Sequence, residues 1–336
     1  MKGRLENQIK IEAKIEDLLS HNNEIFQQFL LNLSTNTAKT KHQYLLSILY
    51  FFEHCNKLNP RKVSLQKLSS ISKADIQRFL EKDKYYTATN GETRLKSPAT
   101  VARQIAVLKN FFQFCQREGY ITDDPTRDIK NPKKNNETEV VYMTPEEIER
   151  VKDNIRKCEG PTDRVEHIYR DWESRDLAIF TLGCTTGLRV TAISEINVED
   201  VDLDNLTISV TEKGNKERTI YIGRNTAEQL RIWLRDREVL LDDRDMDSDA
   251  LFISARRTRI SSRQIAEIIK RNTKDLGKHI TPHKMRSSCA TNLYAKTNNI
   301  YLVKDVLGHS NIANTQRYTR QSQSKLKQAA DILDNI

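Results

Sequence analysis

Six residues in the C-terminal half have the side-chain types that phosphodiester chemistry requires. They are Arg189, Lys213, His283, Arg286, His309 and Tyr318. Two arginines can hold a pair of phosphate oxygens through forked, charge-assisted hydrogen bonds, and such a clamp stabilises a phosphoryl-transfer transition state. A tyrosine with a pKa of about 10 attacks phosphorus only when a base takes its proton, and a histidine suits that task. Together the six residues could hold one phosphodiester and attack it.

Each of these residues also has a simpler interpretation. His283 could be a structural histidine beside a helix start, Arg189 a surface arginine and Tyr318 a core residue at helical spacing. Taken one at a time, these interpretations are the better ones. Jointly they require six coincidences in a fixed order, so we prefer the chemical interpretation. His279 lies nearby but matches no part of the pattern, and we expect it to be structural.

The order and flanks of the six residues resemble the tyrosine recombinase, or phage integrase, family. That family has an arginine, a hairpin lysine, a His-x-x-Arg, a second histidine or tryptophan, and a tyrosine nine residues later. Here each element occurs once and in that order, and Tyr318 stands nine positions after His309. The resemblance runs from about Glu24 to the C-terminus. Within the family the chain looks most like the Xer-like recombinases and the integrases of mobile elements.

The resemblance implies a role for each residue. Tyr318 would attack the scissile phosphate and become joined to the DNA 3′ end, and Lys213 would protonate the departing 5′ hydroxyl. The two arginines would clamp the phosphate, His283 would act as general base towards the tyrosine, and His309 would donate a hydrogen bond to a phosphate oxygen. No ATP, divalent metal or other cofactor is then required, and none of the motifs has a metal-binding spacing.

The chain departs from the family pattern at two positions. Ala192 stands where the family commonly has glutamate, so the carboxylate that steadies the first arginine is missing or comes from Glu195. Ser287 stands where histidine is common after the second arginine. We expect both changes to tune the site without abolishing it. Lys216 shares the hairpin with Lys213, but Lys213 fits the family's position better.

Composition agrees with a nucleic-acid enzyme of the cytoplasm. The 336 residues contain 55 Lys and Arg against 46 Asp and Glu, which gives a net charge of +9 and favours binding to a polyanion. Residues 251–336 hold 16 of the basic and 5 of the acidic side chains, so positive charge gathers around the predicted site. No run of 18 apolar residues predicts a membrane span, and the charged N-terminus does not lead into a signal region. The five cysteines lack C-x-x-C pairing, as expected for free thiols in a reducing cytoplasm.

We expect a mainly α fold with a small antiparallel β-sheet. Residues 1–20 form an N-terminal extension, either a short extra helix or a frayed terminus. Residues 21–130 show helical periodicity over 24–33, 38–55 and 74–84, and again from Pro98 onwards, where Ser97 is a candidate N-cap. Ser72 and Asp75 resemble a capping box. The family resemblance implies a helical SAM-like core-binding domain here.

Residues 131–142 form a polar, proline-containing linker, and residues 143–336 form the catalytic domain. Thr144 caps a helix there, residues 156–175 read as a variable loop or helix extension, and a helix over 176–184 presents Arg189. Alternation over 206–210 and 218–222 predicts a hairpin with Lys213 on its mobile loop, and 251–254 reads as a short strand. Residues 324–333 carry an apolar helical stripe, which in the family docks onto a neighbouring subunit; packing on its own domain is the alternative.

DNA contacts are expected from basic side chains in both domains, mostly to phosphates. In the N-terminal domain the candidates are Lys41, His42, Arg94, Lys96, Arg103 and Lys109. In the catalytic domain they are Lys216 of the hairpin and the arginines Arg256, Arg257, Arg259 and Arg263. Arginine suits guanine edges in the major groove, so some sequence reading is expected from the last four residues, although phosphate contact fits them equally well.

These expectations describe a site-specific DNA recombinase that cuts and rejoins strands through a 3′-phosphotyrosine and a Holliday junction. Its first expected use is integration and excision of a mobile genetic element, and the alternative is Xer-type resolution of chromosome or plasmid dimers. Its partners would be double-stranded recombination sites and further copies of itself, as a homotetramer on paired sites and a monomer or weak dimer when free. The need for an accessory protein or partner recombinase stays open.

Two other classes remain. A type IB topoisomerase would relax supercoils as a monomer without site preference. A DNA-binding regulator descended from a recombinase would have lost catalytic groups.

Overall fold

The computed structural model describes residues 2–55, 63–88, 91–133, 140–212, 216–316 and 318, with the side chains of 2–7, 212 and 216 excepted. The chain forms two compact units, Met1–Thr138 and Glu139–Ile336. The division falls inside the segment 131–142 that the sequence suggests as a linker. Both units are built mainly of helices, and the sheets are small and antiparallel. The predicted fold class is therefore confirmed. None of the described helices is long and apolar enough to cross a membrane.

The described part of the N-terminal unit contains six helices and one two-stranded sheet. The helices are α1 (Lys2–Ser20), α2 (Glu24–Asn32), α3 (Ala38–His54), α4 (Leu65–Ser69), α5 (Lys73–Lys82) and α6 (Pro98–Arg117). The strands are β1 (Tyr85–Thr87) and β2 (Thr93–Leu95), which pair in antiparallel register. The four helices predicted from periodicity are confirmed, each within about two residues of its expected bounds.

Aromatic side chains fill the core of the N-terminal unit. Eight phenylalanines make ring contacts with centroids 5.0 to 5.9 Å apart, mostly edge to face. Helix α1 belongs to this core, because Ile15 is buried in it and Ile11, Leu18 and Leu19 pack against it. The N-terminal extension is thus a helix that packs on its own unit.

Local sequence signals set the helix starts. The Ser72 hydroxyl accepts from the Asp75 amide while the Asp75 carboxylate accepts from the Ser72 amide, so the predicted capping box at α5 is confirmed. Ser97 caps α6 in the same way through the amide of Thr100, and a proline follows at the first helical position. These contacts satisfy amide groups that would otherwise lack partners at a helix start.

A buried carboxylate joins three segments of the N-terminal unit. Asp83, which follows α5, accepts hydrogen bonds from Lys96, Gln104 and Tyr50. Burial disfavours its ionised form, but these three donors outweigh burial and hold the pKa of Asp83 below its ordinary value. Burial and the facing carboxylate raise the pKa of Tyr50 to about 12. Asp83 therefore stays ionised at neutral pH and ties α3, α6 and the segment after β2 together.

The C-terminal unit contains nine α-helices and a three-stranded antiparallel sheet among its described residues. The helices are α7 (Pro145–Lys157), α8 (Asp163–Asp171), α9 (Glu173–Thr186), α10 (Val190–Glu195), α11 (Arg224–Asp242), α12 (Ser262–Asn272), α13 (Pro282–Thr297), α14 (Ile300–Leu307) and α15 (Ala313–Gln316). The strands are β3 (Val201–Asp202), β4 (Thr207–Glu212) and β5 (Lys216–Tyr221), in the order β3-β4-β5. The predicted hairpin is therefore present. The Thr144–Glu147 capping box opens α7 as expected.

Residues 251–254 do not form the strand expected from their apolar sequence. They are buried, but their neighbourhood makes only two isolated bridges, Asn197 with Ala250 and Ile253 with Arg259. The indole of Trp233 donates to the Leu251 carbonyl, and Arg175 donates to the Ile253 carbonyl. Backbone amides of loop residues supply other bonds, such as that from Ile260 to the Phe252 carbonyl. A mixture of side-chain and loop donors thus takes the place of a neighbouring strand, which corrects the prediction.

The segment 156–175 contains a helix of its own, α8. Its Tyr169 ring lies 3.6 Å from the guanidinium carbon of Arg271, measured to the ring centroid. Just after α8, the Trp172 ring is flanked by two guanidinium groups, those of Arg175 at 4.2 Å and Arg257 at 5.0 Å. Such cation–π contacts fix the segment to α9 and α12. The alternative of a variable loop is therefore wrong for residues 163–171.

All five cysteines are free thiols, as expected, and the structure shows in addition that all five are buried. The stripe expected at residues 324–333 lies outside the described residues, and so does the hairpin tip with Lys213.

Candidate active site

A glycine turn at the end of α9 presents the first arginine. Gly187 has φ +62°, and a Cβ at this position would lie 2.6 Å from Cδ2 of Leu307, so both the conformation and the close approach require glycine. Two residues later Arg189 occupies the N-cap position of α10, and its side chain is exposed. The turn therefore places α9, Arg189 and α14 next to one another.

Helix α13 carries the His-x-x-Arg motif. Proline opens the helix, and His283 lies exposed in its first turn. Arg286 follows three residues later, near the same face of the helix, but its side chain is only 2% exposed. The motif therefore has one solvent-facing member and one buried member.

Arg286 links two backbone segments that carry other predicted site residues. Its Nη1 donates to the Gly187 carbonyl and its Nη2 to the Leu307 carbonyl, each at 2.6 Å. Arg189 lies two residues after Gly187, and His309 lies two residues after Leu307. These bonds use two of the five N–H groups of a guanidinium. Arg286 thus fixes the spacing between the first arginine and the second histidine.

The second histidine follows the end of α14. Gly308 has φ +65° and reverses the chain after Leu307. His309 then lies half-buried, with Nδ1 2.9 Å from Oγ1 of the fully buried Thr315. If the threonine hydroxyl donates, Nε2 of the neutral ring carries the proton, which is the tautomer suited to donating a hydrogen bond to a phosphate. The His309 and Tyr318 rings are nearly parallel, with centroids 6.5 Å apart and 13° between their planes.

The predicted nucleophile is buried. Tyr318 is 5% exposed and lies in a small apolar cluster with Ala290, Val303 and Leu307. The ring is thus held beside His309 and α13, away from bulk water. For its hydroxyl to attack a phosphate, DNA must reach this ring or the ring must become exposed.

The two departures from the family pattern also have a structural context. The Ala192 side chain packs against the core of the C-terminal unit, and Glu195 at the end of the same helix is exposed. Ser287 is fully buried, and its hydroxyl donates to the His283 carbonyl one turn earlier. Ser287 therefore bonds within its own helix. Among the described residues, no group of three or more His, Cys, Asp and Glu side chains is placed to bind a metal ion.

Two polar residues beside the site were missed by sequence reasoning. Thr315 contacts the His309 ring, and nothing in its sequence context indicates this. Arg218 of β5 donates to the carbonyls of Asp305 and Val306 in the last turn of α14. A signal for Arg218 exists, since it alternates with the buried Ile220 and so lies on the core side of the hairpin.

A groove of about 800 Å³ lies next to α14. Its lining is mostly apolar and comes from α7, α9, β5, α13 and α14, including Ile148, Ile220, Cys289, Leu293 and Val306. Burial raises the pKa of Cys289 to about 11, so this thiol stays protonated near neutral pH.

The candidate DNA contacts of the catalytic domain fall into two groups. Arg257 is buried and donates to the Leu240 carbonyl, and Arg259 donates to the carbonyls of Ser194 and Ile196. These bonds argue against DNA contact by Arg257 and Arg259, whose guanidinium groups hold the domain together. Arg256 and Arg263 are exposed. The Lys216 side chain lies outside the described set.

In the N-terminal unit the candidates differ in the same way. Lys96 is paired with the buried Asp83 carboxylate, and Arg94 pairs with Glu92. Arg103 on α6 is exposed, whereas three other candidates are half-buried. Those three are Lys41, His42 and Lys109. Lys96 therefore has a structural role whether or not it also meets DNA.

Comparison with known proteins decides the family. Residues 141–325 match the phage integrase family, and residues 26–119 match the phage integrase N-terminal SAM-like domain. The chain belongs to the phage integrase family. It is thus a tyrosine recombinase, an enzyme of the class that cleaves and rejoins DNA strands. Both the recognised family and the recombinase function are confirmed.

Similar proteins include recombinases of the Xer type. Tyrosine recombinase XerC of Caldanaerobacter subterraneus subsp. tengcongensis is 29% identical over 328 residues, which covers 91% of this chain and 86% of the relative. Tyrosine recombinase XerD of Staphylococcus epidermidis is 34% identical and covers 69% of this chain and 75% of its own length.

Solved structures share the fold at lower identity. XerH site-specific recombinase bound to palindromic difH substrate has a TM-score of 0.71 at 21% identity, covering 96% of this chain and 89% of its own. A lambda integrase fragment, dimeric on a core site, has a TM-score of 0.62 at 18% identity, covering 86% of this chain and 95% of its own.

Proposed function

We propose that the protein recombines DNA at specific sites through a covalent 3′-phosphotyrosine formed by Tyr318. The observation that carries this proposal is the pair of hydrogen bonds that Arg286 donates to the Gly187 and Leu307 carbonyls, at 2.6 Å each. It fixes Arg189 and His309 on either side of one buried guanidinium, and the Tyr318 ring stacks near His309. Two cations and an N–H donor then surround the position where phosphate charge develops.

The proposed chemistry is a direct exchange of phosphodiester bonds. The Tyr318 hydroxyl loses its proton to His283 as its oxygen attacks phosphorus. The bond from phosphorus to the 5′ oxygen breaks, and Lys213 supplies a proton to that oxygen. A second 5′ hydroxyl reverses these steps and releases the tyrosine. The phosphotyrosine keeps the bond energy, so the cycle needs no ATP, metal ion or cofactor.

DNA binding is proposed for the exposed cations of both units. Arg256 and Arg263 in the catalytic unit and Arg103 in the N-terminal unit are the best placed, since their side chains face solvent. The protein would act in the cytoplasm as a homotetramer on paired sites and exist as a monomer or weak dimer when free. In the tetramer, the stripe of residues 324–333 would dock in the groove of a neighbouring copy, whose apolar lining suits it.

Two biological uses are supported by different observations. Integration and excision of a mobile element is favoured by Ala192, by Ser287 and by the extra helix in segment 156–175. Xer-type resolution of replicon dimers is favoured by the similarity of the chain to tyrosine recombinases XerC and XerD. DNA from the flanks of the gene and a chromosomal resolution site, offered in the same assay, separate the two uses.

The test is covalent trapping on a nicked half-site DNA. After cleavage the short fragment that carries the new 5′ hydroxyl diffuses away and cannot be rejoined. The wild type should form a denaturation-resistant, protease-sensitive adduct without magnesium, and Tyr318→Phe should form none. Tyr294→Phe is the matched control, because Tyr294 packs against the same apolar cluster and should keep the adduct. Tight binding of the correct site without any wild-type adduct would overturn the proposal in favour of a regulator. Relaxation of non-specific plasmid without recombination would indicate a topoisomerase.

A further inference from the structure

The arms of the β4–β5 hairpin extend beyond the apolar core. Val210 and Ile220, at 4% and 6% exposure, are the last buried residues on each arm among those described. Further out, Thr211 and Glu217 are exposed and directly paired with each other. Apolar packing therefore stops before the tip that carries Lys213. Beyond this point, contacts other than apolar packing must restrain the hairpin arms if the position of the tip is to be fixed.

Arg218 supplies such contacts. It lies on the core side of β5, directly opposite Val210. Its Nη1 donates to the Asp305 carbonyl at 3.1 Å, and its Nη2 donates to the Val306 carbonyl at 3.0 Å. These carbonyls belong to the last turn of α14 and lie at the negative end of its dipole. The Asp305 carbonyl also accepts from the amide of Gly308, the residue that caps the helix. A planar guanidinium can reach both carbonyls at once with little loss of conformational freedom.

The partner helix is itself held firmly. The carbonyl of Leu307, next after those bonded by Arg218, accepts from Arg286 at 2.6 Å. Val303 and Leu307 are fully buried in the cluster around Tyr318. Two arginines thus bond three consecutive carbonyls of α14, one from the hairpin and one from α13. Because α14 is fixed by Arg286 and by packing, the bonds of Arg218 restrain chiefly the hairpin.

We propose that Arg218 is a positioning residue that fixes the hairpin arms to the end of α14 and thereby sets where the leaving-group proton is delivered. The inference rests on the proposed role of Lys213 as general acid. The two hydrogen bonds described for Arg218 go to backbone carbonyls of α14, and the residue acts through the hairpin. Loss of its bonds should slow protonation of the 5′ oxygen while leaving the attack by Tyr318 less affected.

The experiment compares cleavage of two half-site DNAs that differ in one atom. In one the scissile 5′ bridging atom is oxygen, and in the other it is sulfur. A thiolate leaves without a proton because thiols have a pKa of about 8.5, far below that of an alcohol. Arg218→Lys keeps the positive charge but loses the planar guanidinium that bonds two carbonyls at once. This variant should therefore cleave the oxygen substrate at least about ten-fold more slowly than the wild type. On the sulfur substrate it should stay within about three-fold of the wild type, as expected when only the proton donor is misplaced.

Each enzyme is scored by the ratio of its rates on the two substrates, because that ratio does not depend on the fraction of folded protein. Arg218→Gln, which can bond one carbonyl, is the second variant and should shift the ratio in the same direction. Arg237→Lys is the matched control, since Arg237 also donates to two carbonyls, those of Ala250 and Ser248, in another part of the unit. Its ratio should equal that of the wild type.

Equal losses on both substrates, or no loss on the oxygen substrate, would overturn the role of Arg218. Lys213→Ala separates this failure from that of the proposed function. If its cleavage is restored by sulfur and that of the Arg218 variants is not, only the positioning inference fails. If sulfur does not restore Lys213→Ala, the assignment of Lys213 as general acid fails first.

Discussion

Both units have an apolar core, but they differ in which contacts dominate around it. The N-terminal unit packs eight phenylalanines edge to face in one core. In the C-terminal unit, many arginines donate to backbone carbonyls of other segments. They are Arg150, Arg175, Arg218, Arg231, Arg237, Arg257, Arg259 and Arg286. The first kind of contact is non-directional, whereas the second fixes the position of each loop that it reaches.

This difference matches the tasks proposed for the units. A domain that grips phosphates needs a stable scaffold under exposed cations, and apolar burial provides it. A catalytic unit must hold several loops within a fraction of an ångström of one phosphate, and hydrogen bonds from buried guanidinium groups can do so. Arg286 combines both needs, because it is at once a proposed phosphate ligand and a bridge between two loops.

This difference between the units is tested most directly by removing one contact of each kind. Arg286→Lys should reduce half-site cleavage by about 10³-fold, since the fork that clamps the phosphate is lost. Stability should fall by about 1 to 3 kcal/mol, because one ammonium cannot satisfy both carbonyls. Single-turnover cleavage at saturating protein and thermal unfolding measure the two effects.

Its counterpart is Phe111→Ala in the fully buried aromatic core. This truncation should destabilise the N-terminal unit by about 3 to 5 kcal/mol. The cleavage rate of protein that remains bound to DNA should change little. Hydrogen exchange measured separately in each unit shows which unit has been destabilised. If Phe111→Ala slowed the bound-state chemistry as much as Arg286→Lys, the division of tasks would be wrong.

Acid should affect the N-terminal unit through Asp83. The folded-state pKa of Asp83 is lowered, so its ionised form stabilises the unit above the unfolded value of about 3.9. That contribution is lost as the pH falls through the folded pKa. Asp83→Asn should cost about 1 to 3 kcal/mol at neutral pH, since charge-assisted bonds are weakened. The wild type should lose hydrogen-exchange protection in residues 63–88 as the pH falls from about 5 to about 2, and the variant should show a smaller pH dependence over this range. An unchanged acid transition in the variant would show that other carboxylates control it.

The smallest effect is expected at the capping boxes that open α5 and α7. Ser72→Ala at α5 and Thr144→Ala at α7 should each cost about 1 kcal/mol. The box at α7 is reinforced, because the Glu147 carboxylate also pairs with Lys278. Burial opposes ionisation of Glu147, but the Lys278 and Thr144 hydrogen bonds lower its pKa. Thermal unfolding of both variants should show similar losses, and a clearly larger loss for Thr144→Ala would mean that the pair with Lys278 depends on the cap.

Local signals explain which parts of the fold were predictable. Helices α3 and α6 follow from apolar periodicity, and their starts follow from Thr37, Ser97 and Pro98, which act within one turn. The hairpin follows from alternation on two short segments. The segment 251–254 was mispredicted because its apolar sequence signals burial but not the kind of donor that will bond its carbonyls. In the structure these donors are two side chains and two loop amides in place of a strand. Helix α8 has a local start signal in its Thr162 cap, but the contact of Tyr169 with Arg271, which holds it against α12, lies far away along the chain.

The amino-acid sequence by itself determined the family and the class of chemistry, because six residues in a fixed order with matching flanks identify them. Only the tertiary structure decided what each arginine does. Arg257, Arg259 and Arg263 are alike in the sequence, yet two of them bond carbonyls inside the domain and one faces solvent. The reason is physical, because a guanidinium is fully ionised everywhere and its role depends on which acceptors the fold brings within reach. Arg218 is one such case, since its acceptors lie 87 and 88 residues away along the chain.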